Sequence, residues 1–190
     1  LSTRAVKGVA CKFKTAYDIV IAPLTLEAVR FDPIFEAPES TQLPAGGSSK
    51  LSIRICAASE QAPLDKTAID LRIFVDGEPS FSAALLDTLF LRTAAVYVQA
   101  DNSPRWLLLD KAPIKPVGFA EDEGLIDFPQ RSHPTYRLLT EYFAFPEKFS
   151  FFDLDLAAVV QRLGHAGKAF TLHFVFAGLR ADSNTARTLA

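Results

Sequence analysis

Four acidic residues lie close together in the sequence and are its best candidates for chemistry. They are Glu121, Asp122, Glu123 and Asp127. Paired carboxylates act as general acid and base in hydrolases, or they hold a divalent cation. The spacing does not match a calcium loop, because oxygen ligands do not recur at every second position around a glycine turn. We therefore expect a solvated acidic loop and treat the four residues as candidate contacts for a protein partner.

The three histidines, His133, His165 and His173, lack the spacing of metal ligands, and no cysteine pair accompanies them. Their simplest interpretations are a helix cap, a turn residue and the polar side of a strand. Residues 164–168, GHAGK, contain a Gly-Lys pair but lack the four-residue spacer and the Ser/Thr of a phosphate-binding loop. The sequence therefore predicts no catalytic residue, no metal site and no cofactor site.

Overall composition also narrows the function. The net charge of −2 provides no general attraction to nucleic acid or to an anionic membrane. No window contains the 18 or more uncharged apolar residues that a membrane-spanning helix needs. Cys11 and Cys56 are too few and too far apart for a disulfide scaffold, which fits a reducing cytoplasm. We therefore expect no nucleic acid partner and no direct membrane insertion.

The elements that would position these groups are organised around residues 132–156, which predict a helix followed by an aromatic strand. Ser132 or His133 can cap the helix, and Pro134 fits its first turn, where a missing N–H costs nothing. Pro146 ends it, because the residue before a proline is disfavoured in helical geometry.

The predicted helix has two distinct faces on a helical wheel of about 100° per residue. One half-circle holds the apolar residues Tyr136, Leu138, Leu139, Tyr142, Phe143 and Phe145, and the other holds Arg137, Thr140, Glu141 and Ala144. Because an apolar face normally packs against the protein, we expect Leu139 and Phe143 to be buried. We expect Arg137 and Glu141 to face solvent or another subunit.

Alternating apolar residues predict most of the remaining elements. The predicted strands cover 11–31 (one or two strands, interrupted at Pro23), 51–55, 69–75, 96–98, 105–109, 149–156 and 170–176, with helices at 79–91 and 157–163. Residues 33–49 are rich in Pro, Gly and Ser and predict a long exposed loop, the least ordered part of the chain. The mixed order favours an α+β fold, a largely antiparallel β-sheet or sandwich with two main amphipathic helices packed on it, over a parallel α/β sheet.

The stretch YRLLTEYFAFPEKFSFFDLDL at 136–156 resembles the signature of the TssF family (also called VasA or ImpG), baseplate subunits of the bacterial type VI secretion system. In that signature, an arginine–leucine–leucine helix ends in glutamate–tyrosine–phenylalanine and is followed by a proline–glutamate–lysine–phenylalanine turn. The matching residues, expected to be mainly structural, are Arg137, Leu138, Leu139, Glu141, Tyr142, Phe143, Pro146, Glu147, Lys148 and Phe149. The segment PVGFAEDEGL at 116–125 is also similar.

This resemblance implies a non-catalytic structural component of a contractile injection system. It implies a baseplate wedge protein that docks the sheath and spike and assembles with TssG, TssK, TssE and further TssF copies. It also implies a cytoplasmic location, at the cytoplasmic side of the inner membrane when assembled. The chain begins at Leu1 and contains no Met, which fits an internal fragment of a longer protein. Any sub-boundary would fall in the loop at 33–50.

The alternative is a small β-rich enzyme or carbohydrate-binding module that uses the acidic loop at 121–127 and Trp106 as a sugar platform. Trp106 precedes three leucines in a predicted hairpin, so a core position is favoured for it. The two functions differ in the surface that they require. An assembly component should expose broad apolar patches, whereas an enzyme or sugar-binding module should have a deep polar pocket.

Overall fold

The computed structural model describes residues 2–5, 7–13, 15–17, 19–59, 64, 70–129, 131–164 and 167–190. These residues form eight strands and four α-helices. The strands are β1 (Leu24–Asp32), β2 (Gly47–Ala57), β3 (Asp70–Phe74), β4 (Thr93–Ala100), β5 (Trp106–Leu108), β6 (Ile114–Pro116), β7 (Phe151–Asp155) and β8 (Ala169–Ala177). The helices are α1 (Pro79–Leu91), α2 (Pro134–Ala144), α3 (Leu156–Leu163) and α4 (Asn184–Leu189), with 3₁₀ turns at Glu121–Glu123 and Pro146–Phe149.

The strands form two antiparallel sheets. The larger has the order β1-β2-β8-β4-β5, and the smaller has the order β3-β7-β6. This arrangement confirms the predicted α+β class with largely antiparallel sheets. The predicted strands at 51–55, 96–98, 105–109 and 170–176 correspond to β2, β4, β5 and β8, and the predicted helices at 79–91 and 157–163 correspond to α1 and α3.

Alternate residues of the central strands build the core. Ile53 of β2 and Val98 of β4 flank Leu172 of β8, and all three side chains are buried. Phe152 and Leu154 of β7 belong to the same apolar cluster, so the two sheets share one core. Fully burying an apolar side chain of this size contributes about 1.5–3 kcal/mol. The period-two alternation that predicts these strands therefore also predicts their buried face.

The predicted strand before Pro23 is wrong. β1 begins only at Leu24, and the described part of 11–23 contains no strand. Ile19 and Ile21 are 81% and 91% exposed. Alternation identifies side chains suited to a pleated surface, but a strand also requires a neighbouring strand to pair with, and the described part of this segment has only an isolated bridge between Lys12 and Ser2.

The loop at 33–49 is less exposed than its composition predicts. Residues 33–46 connect β1 to β2 and cross the outer face of the larger sheet, and residues 47–49 already belong to β2. Tyr97 of β4 donates a hydrogen bond to the carbonyl oxygen of Gln42 at 2.6 Å. The ring of Phe35 lies parallel to that of Trp106, with 6.2 Å between centroids. That this loop is the least ordered part of the chain stays a prediction, and so does a domain boundary within residues 33–50.

Candidate partner-binding surface

Helix α2 has the predicted bounds. The imidazole Nδ1 of His133 caps it by accepting a hydrogen bond from the N–H of Thr135 at 3.3 Å, and Pro134 occupies its first turn. Pro146 then starts the 3₁₀ turn that leads toward β7. These local signals are sufficient because each depends only on neighbouring backbone geometry.

The predicted orientation of α2 is wrong. Glu141 is 0% exposed and Arg137 is 8% exposed, whereas Phe143 is 81% exposed and Leu139 is 51% exposed. Arg137 and Glu141 face the protein with the half-buried Leu138, whereas the aromatic side chains face outward together with Thr140 and Ala144. The helical wheel groups the residues by polarity, but it does not show which side of the helix the rest of the chain covers.

A buried ion pair explains why this side of the helix faces inward. The Glu141 carboxylate accepts hydrogen bonds from the N–H groups of Leu125 at 2.6 Å and Ile126 at 3.2 Å, and another from the ammonium of Lys148. Burial favours the neutral acid, but the hydrogen bonds from Lys148 and the two backbone groups outweigh it, so the pKa of Glu141 lies below its ordinary value. The carboxylate therefore stays charged and paired inside the protein.

Arg137 fixes the acidic loop to the same helix. Its guanidinium donates to the carbonyl oxygens of Glu121 at 2.6 Å and Ala120 at 2.7 Å, and its Nε lies 3.9 Å from the Glu141 carboxylate. A Cβ on Gly124 would lie 3.0 Å from Nη1 of Arg137, so glycine leaves room for this approach. Helix α2 therefore holds the loop through backbone groups rather than through acidic side chains.

The structure divides the four predicted contact residues into two groups. Glu123 is structural, because its carboxylate accepts hydrogen bonds from the N–H groups of Gly118 at 2.8 Å and Ala120 at 3.0 Å and from Arg72 at 3.2 Å. The side chains of Glu121, Asp122 and Asp127 are exposed. A charge reversal that includes Glu123 would therefore disturb the loop itself, whereas the other three residues remain candidate contacts.

The outward face of α2 belongs to a continuous aromatic patch. Its members are Phe119, Tyr136, Leu139, Tyr142, Phe143, Phe145 and Phe149; the first six are between 46% and 81% exposed, and Phe149 is more covered. Ring-centroid distances of 5.2 Å for Phe119–Phe149, 6.0 Å for Phe149–Tyr142 and 5.4 Å for Tyr142–Phe143 show that the rings adjoin. Contiguous exposed apolar surface of this kind is typical of interaction sites.

A groove of about 1360 Å³ continues from this patch across the smaller sheet. Phe119 and Phe145 form one side, and the outward side chains of β3 and β7 contribute Arg72 and Asp153. These two form a bidentate pair with distances of 2.8 and 2.9 Å. The groove exceeds the volume range of about 300–1,000 Å³ typical of small-molecule sites, which favours a macromolecular occupant.

Sequence reasoning missed two parts of this surface. The motif includes Lys148 without indicating that it is the counter-ion of Glu141. The alternation at 11–31 predicts a strand position for Tyr17, but its hydroxyl donates to the carbonyl oxygen of Glu123 at 2.8 Å and its ring lies near Arg72. A Glu and a Lys seven residues apart around Pro146 are a usable signal for the ion pair. No local signal identifies the contacts of Tyr17, since its partners are distant in sequence.

Trp106, the other residue of the alternative site, packs against neighbouring rings and also borders a cavity of about 660 Å³. One face of its ring stacks on His173, with 3.9 Å between centroids and 15° between planes, and Phe35 and Tyr97 also lie against it. Its indole N–H donates to Gln99 at 3.1 Å. Trp106 belongs to the larger sheet, whereas the acidic loop lies beside the smaller one, so the structure does not join them in one site.

The two described histidines have structural roles. His133 is the predicted cap, and His165 lies outside the described residues. His173 is buried between Ser52 and Gln99, each 3.0 Å from one ring nitrogen. Burial, together with the charge of Lys50, lowers the pKa of His173 to about 4. In the described part of the chain, no group of three or more His, Cys, Asp and Glu could hold a metal ion.

None of the described helices is both long enough and apolar enough to cross a bilayer.

Comparisons with known proteins agree with one another. The family model described as "Type VI secretion system, TssF" matches residues 1–189. Type VI secretion system component TssF1 of Pseudomonas aeruginosa is 26% identical over 148 residues, which is 77% of this chain and 24% of that protein. A chain in the cryo-electron microscopy structure of the TssK–TssF–TssG baseplate subcomplex superposes with a TM-score of 0.69 and 26% identity, covering 93% of this chain and 31% of that chain. This chain therefore spans about a quarter of the length of the curated relative.

Proposed function

We propose that this chain, which belongs to the TssF family of the type VI secretion system, is a structural segment of a baseplate subunit and works by contact rather than by catalysis. The observation that carries the proposal is the outward-facing aromatic patch on α2. Exposing large apolar rings to water is unfavourable, and covering them with a partner lowers the free energy.

The inward side of α2 supports the same function. The Arg137, Glu141 and Lys148 side chains tie the helix to the acidic loop and to the following turn, so the aromatic side chains project from a fixed backbone. A surface that is already ordered loses less conformational entropy when it binds than a flexible one does. The family motif therefore combines residues that fix the helix with residues that contact a partner.

The partners follow from the similar complex. Because the superposed chain comes from a TssK–TssF–TssG baseplate subcomplex, we propose that the protein containing this segment assembles with TssG and TssK. We extend this to TssE, further TssF copies and the spike, with docking of the contractile sheath. This function places the protein in the cytoplasm, at the cytoplasmic side of the inner membrane when assembled.

The test is assembly of the full-length protein with purified TssG and TssK. Phe143→Ser should weaken assembly by at least about 2 kcal/mol, roughly 30-fold, because aromatic residues near the centre of an interface dominate its binding energy. Leu91→Ser is the matched control, since Leu91 is 79% exposed but lies at the end of α1, outside the patch.

Both variants should keep the melting temperature of the parent protein. Unchanged assembly of the Phe143 variant would remove the patch from the interface. A hydrolytic activity in the purified protein that disappears on charge reversal of Glu121 and Asp122 would overturn the contact function itself.

A further inference from the structure

Three exposed acidic side chains border the aromatic patch. This acidic rim consists of Glu121, Asp122 and Glu147. Asp122 and Glu147 line the same groove as Phe119 and Phe145, and Glu121 lies where the loop is bound by α2. Within the described residues, none of the three forms an ion pair.

Lys148, Arg137 and Arg72 are paired with other groups, whereas Lys115, in the same groove, is mostly exposed. The Lys148 ammonium is buried against Glu141, and Arg137 is bound to loop carbonyls and lies beside the same carboxylate. Arg72 pairs with Asp153 and Glu123, and Lys115 lies 3.9 Å from Asp70. The rim therefore carries negative charge that the surrounding side chains do not neutralise.

From this combination we infer that the aromatic patch and its acidic rim receive a basic amphipathic helix from another baseplate protein. This inference rests on the proposed assembly function and names the chemistry of the partner segment. Apolar side chains of that helix cover the rings of α2, and Lys or Arg residues beside them meet Glu121, Asp122 and Glu147. The charges select the partner and its orientation, and the rings provide most of the contact area.

A helix fits this surface better than an extended strand. The interior main-chain groups of α2 are already hydrogen-bonded within the helix, so only its side chains are available to a partner. Both edge strands of the smaller sheet line the groove and both are short: β3 has five residues, and β6 has three and ends at Pro116, which has no N–H to offer. Because α2 has 11 residues, or about 16 Å, a partner helix of about three turns would match its length.

The acidic rim also argues against two other occupants. In a two-fold dimer the same patch faces itself, which would bring the rim of one copy close to the rim of the other. An anionic membrane surface attracts basic amphipathic segments and repels an acidic border. A basic protein segment is the occupant that complements both the apolar and the charged part of the surface.

The first experiment uses the full-length protein in a complex reconstituted with TssG and TssK. A photo-crosslinking amino acid replaces Tyr142 in the patch, and in the control it replaces Leu91. We expect a crosslink at Tyr142 to a segment of another subunit with apolar residues at helical spacing and an excess of Lys and Arg. An acidic segment, a second copy of the same protein, or no crosslink from Tyr142 in the assembled complex would overturn the inference.

The second experiment tests the charges. The triple variant E121K/D122K/E147K should weaken assembly about tenfold or more and remove most of its salt dependence. The matched control E39K/D87K/D110K makes the same charge change at exposed residues outside the patch and should stay within about twofold. Changing the crosslinked Lys and Arg residues to Glu should restore assembly of the first variant.

The outcomes separate the two proposals. If Phe143→Ser prevents assembly while the charge reversal changes it by less than about twofold, the basic helix is wrong and the contact function stands. Failure of the compensating exchange to restore assembly also overturns the basic helix. Preferential binding of the full-length protein to phosphatidylserine vesicles, abolished by Phe143→Ser, would assign the patch to a lipid surface instead. If Phe143→Ser leaves assembly intact, the proposed role of the patch is itself wrong.

Discussion

Replacing Glu141 by alanine tests whether the buried polar side chains of α2 hold the helix in place. The substitution removes a carboxylate that is 0% exposed and leaves the Lys148 ammonium, whose side chain is 1% exposed, without its counter-ion. Removing one partner of a buried ion pair costs about 3–5 kcal/mol. The N–H groups of Leu125 and Ile126 also lose their acceptor, which adds about 1–3 kcal/mol for each group that water does not reach.

The expected loss is comparable to the whole stability of an ordinary domain, which is about 5–15 kcal/mol. We therefore expect Glu141→Ala to open α2 and the loop at 118–126 together. Hydrogen exchange measured by mass spectrometry on the full-length protein is the suitable assay, because it reports local opening without requiring two-state unfolding. Peptides covering 118–126 and 134–149 should lose most of their protection.

Phe143→Ala provides the contrast on the other face of the same helix. A buried phenylalanine would lose about 3–5 kcal/mol on truncation, but Phe143 is 81% exposed, so we expect a change within about 0.5 kcal/mol. The double variant E141Q/K148M should recover at least half of the protection lost in Glu141→Ala. It removes both charges, and its glutamine oxygen can still accept from Leu125 and Ile126.

The reverse pattern would refute this reasoning. If Glu141→Ala changed local stability by less than about 1 kcal/mol while Phe143→Ala cost more than about 3 kcal/mol, the aromatic side of α2 would be the buried one. Failure of E141Q/K148M to recover protection would show that the cost does not arise from the unpaired ammonium.

Two further predictions concern stability. The pKa of His173 is about 4 in the folded chain and ordinarily 6.5, so the stability that its neutral form contributes is fully present above pH 6.5 and is lost as the pH falls toward 4. Thermal melting measured from pH 7 to pH 4 should show a decrease of about 3 kcal/mol in the free energy of unfolding from this group. His173→Gln should remove that part of the pH dependence. At Gly118, where φ is +100°, a Cβ would lie 3.1 Å from the carbonyl oxygen of Lys148. At Gly8, where φ is +81°, a Cβ would have no atom within 4 Å. Gly118→Ala should therefore lower the melting temperature more than Gly8→Ala.

Several features follow from the sequence because their causes are local. Pro134, Pro146 and the His133 cap define α2 through the geometry of adjacent residues. Period-two alternation at 51–55 predicts both β2 and its buried face, whereas at 170–176 it predicts the strand but not that His173 and Val175 on the other face are buried as well. The motif at 136–149 is sufficient to predict the family, which the comparison over residues 1–189 confirms.

The orientation of α2 depends on the tertiary structure alone. An amphipathic pattern predicts that one face differs from the other, but burial depends on what the rest of the chain places there. Here the loop at 118–126 supplies N–H donors to Glu141 and carbonyl acceptors to Arg137, and Lys148 supplies the opposite charge. With those partners in place Arg137 and Glu141 can be buried, and the aromatic side is left exposed.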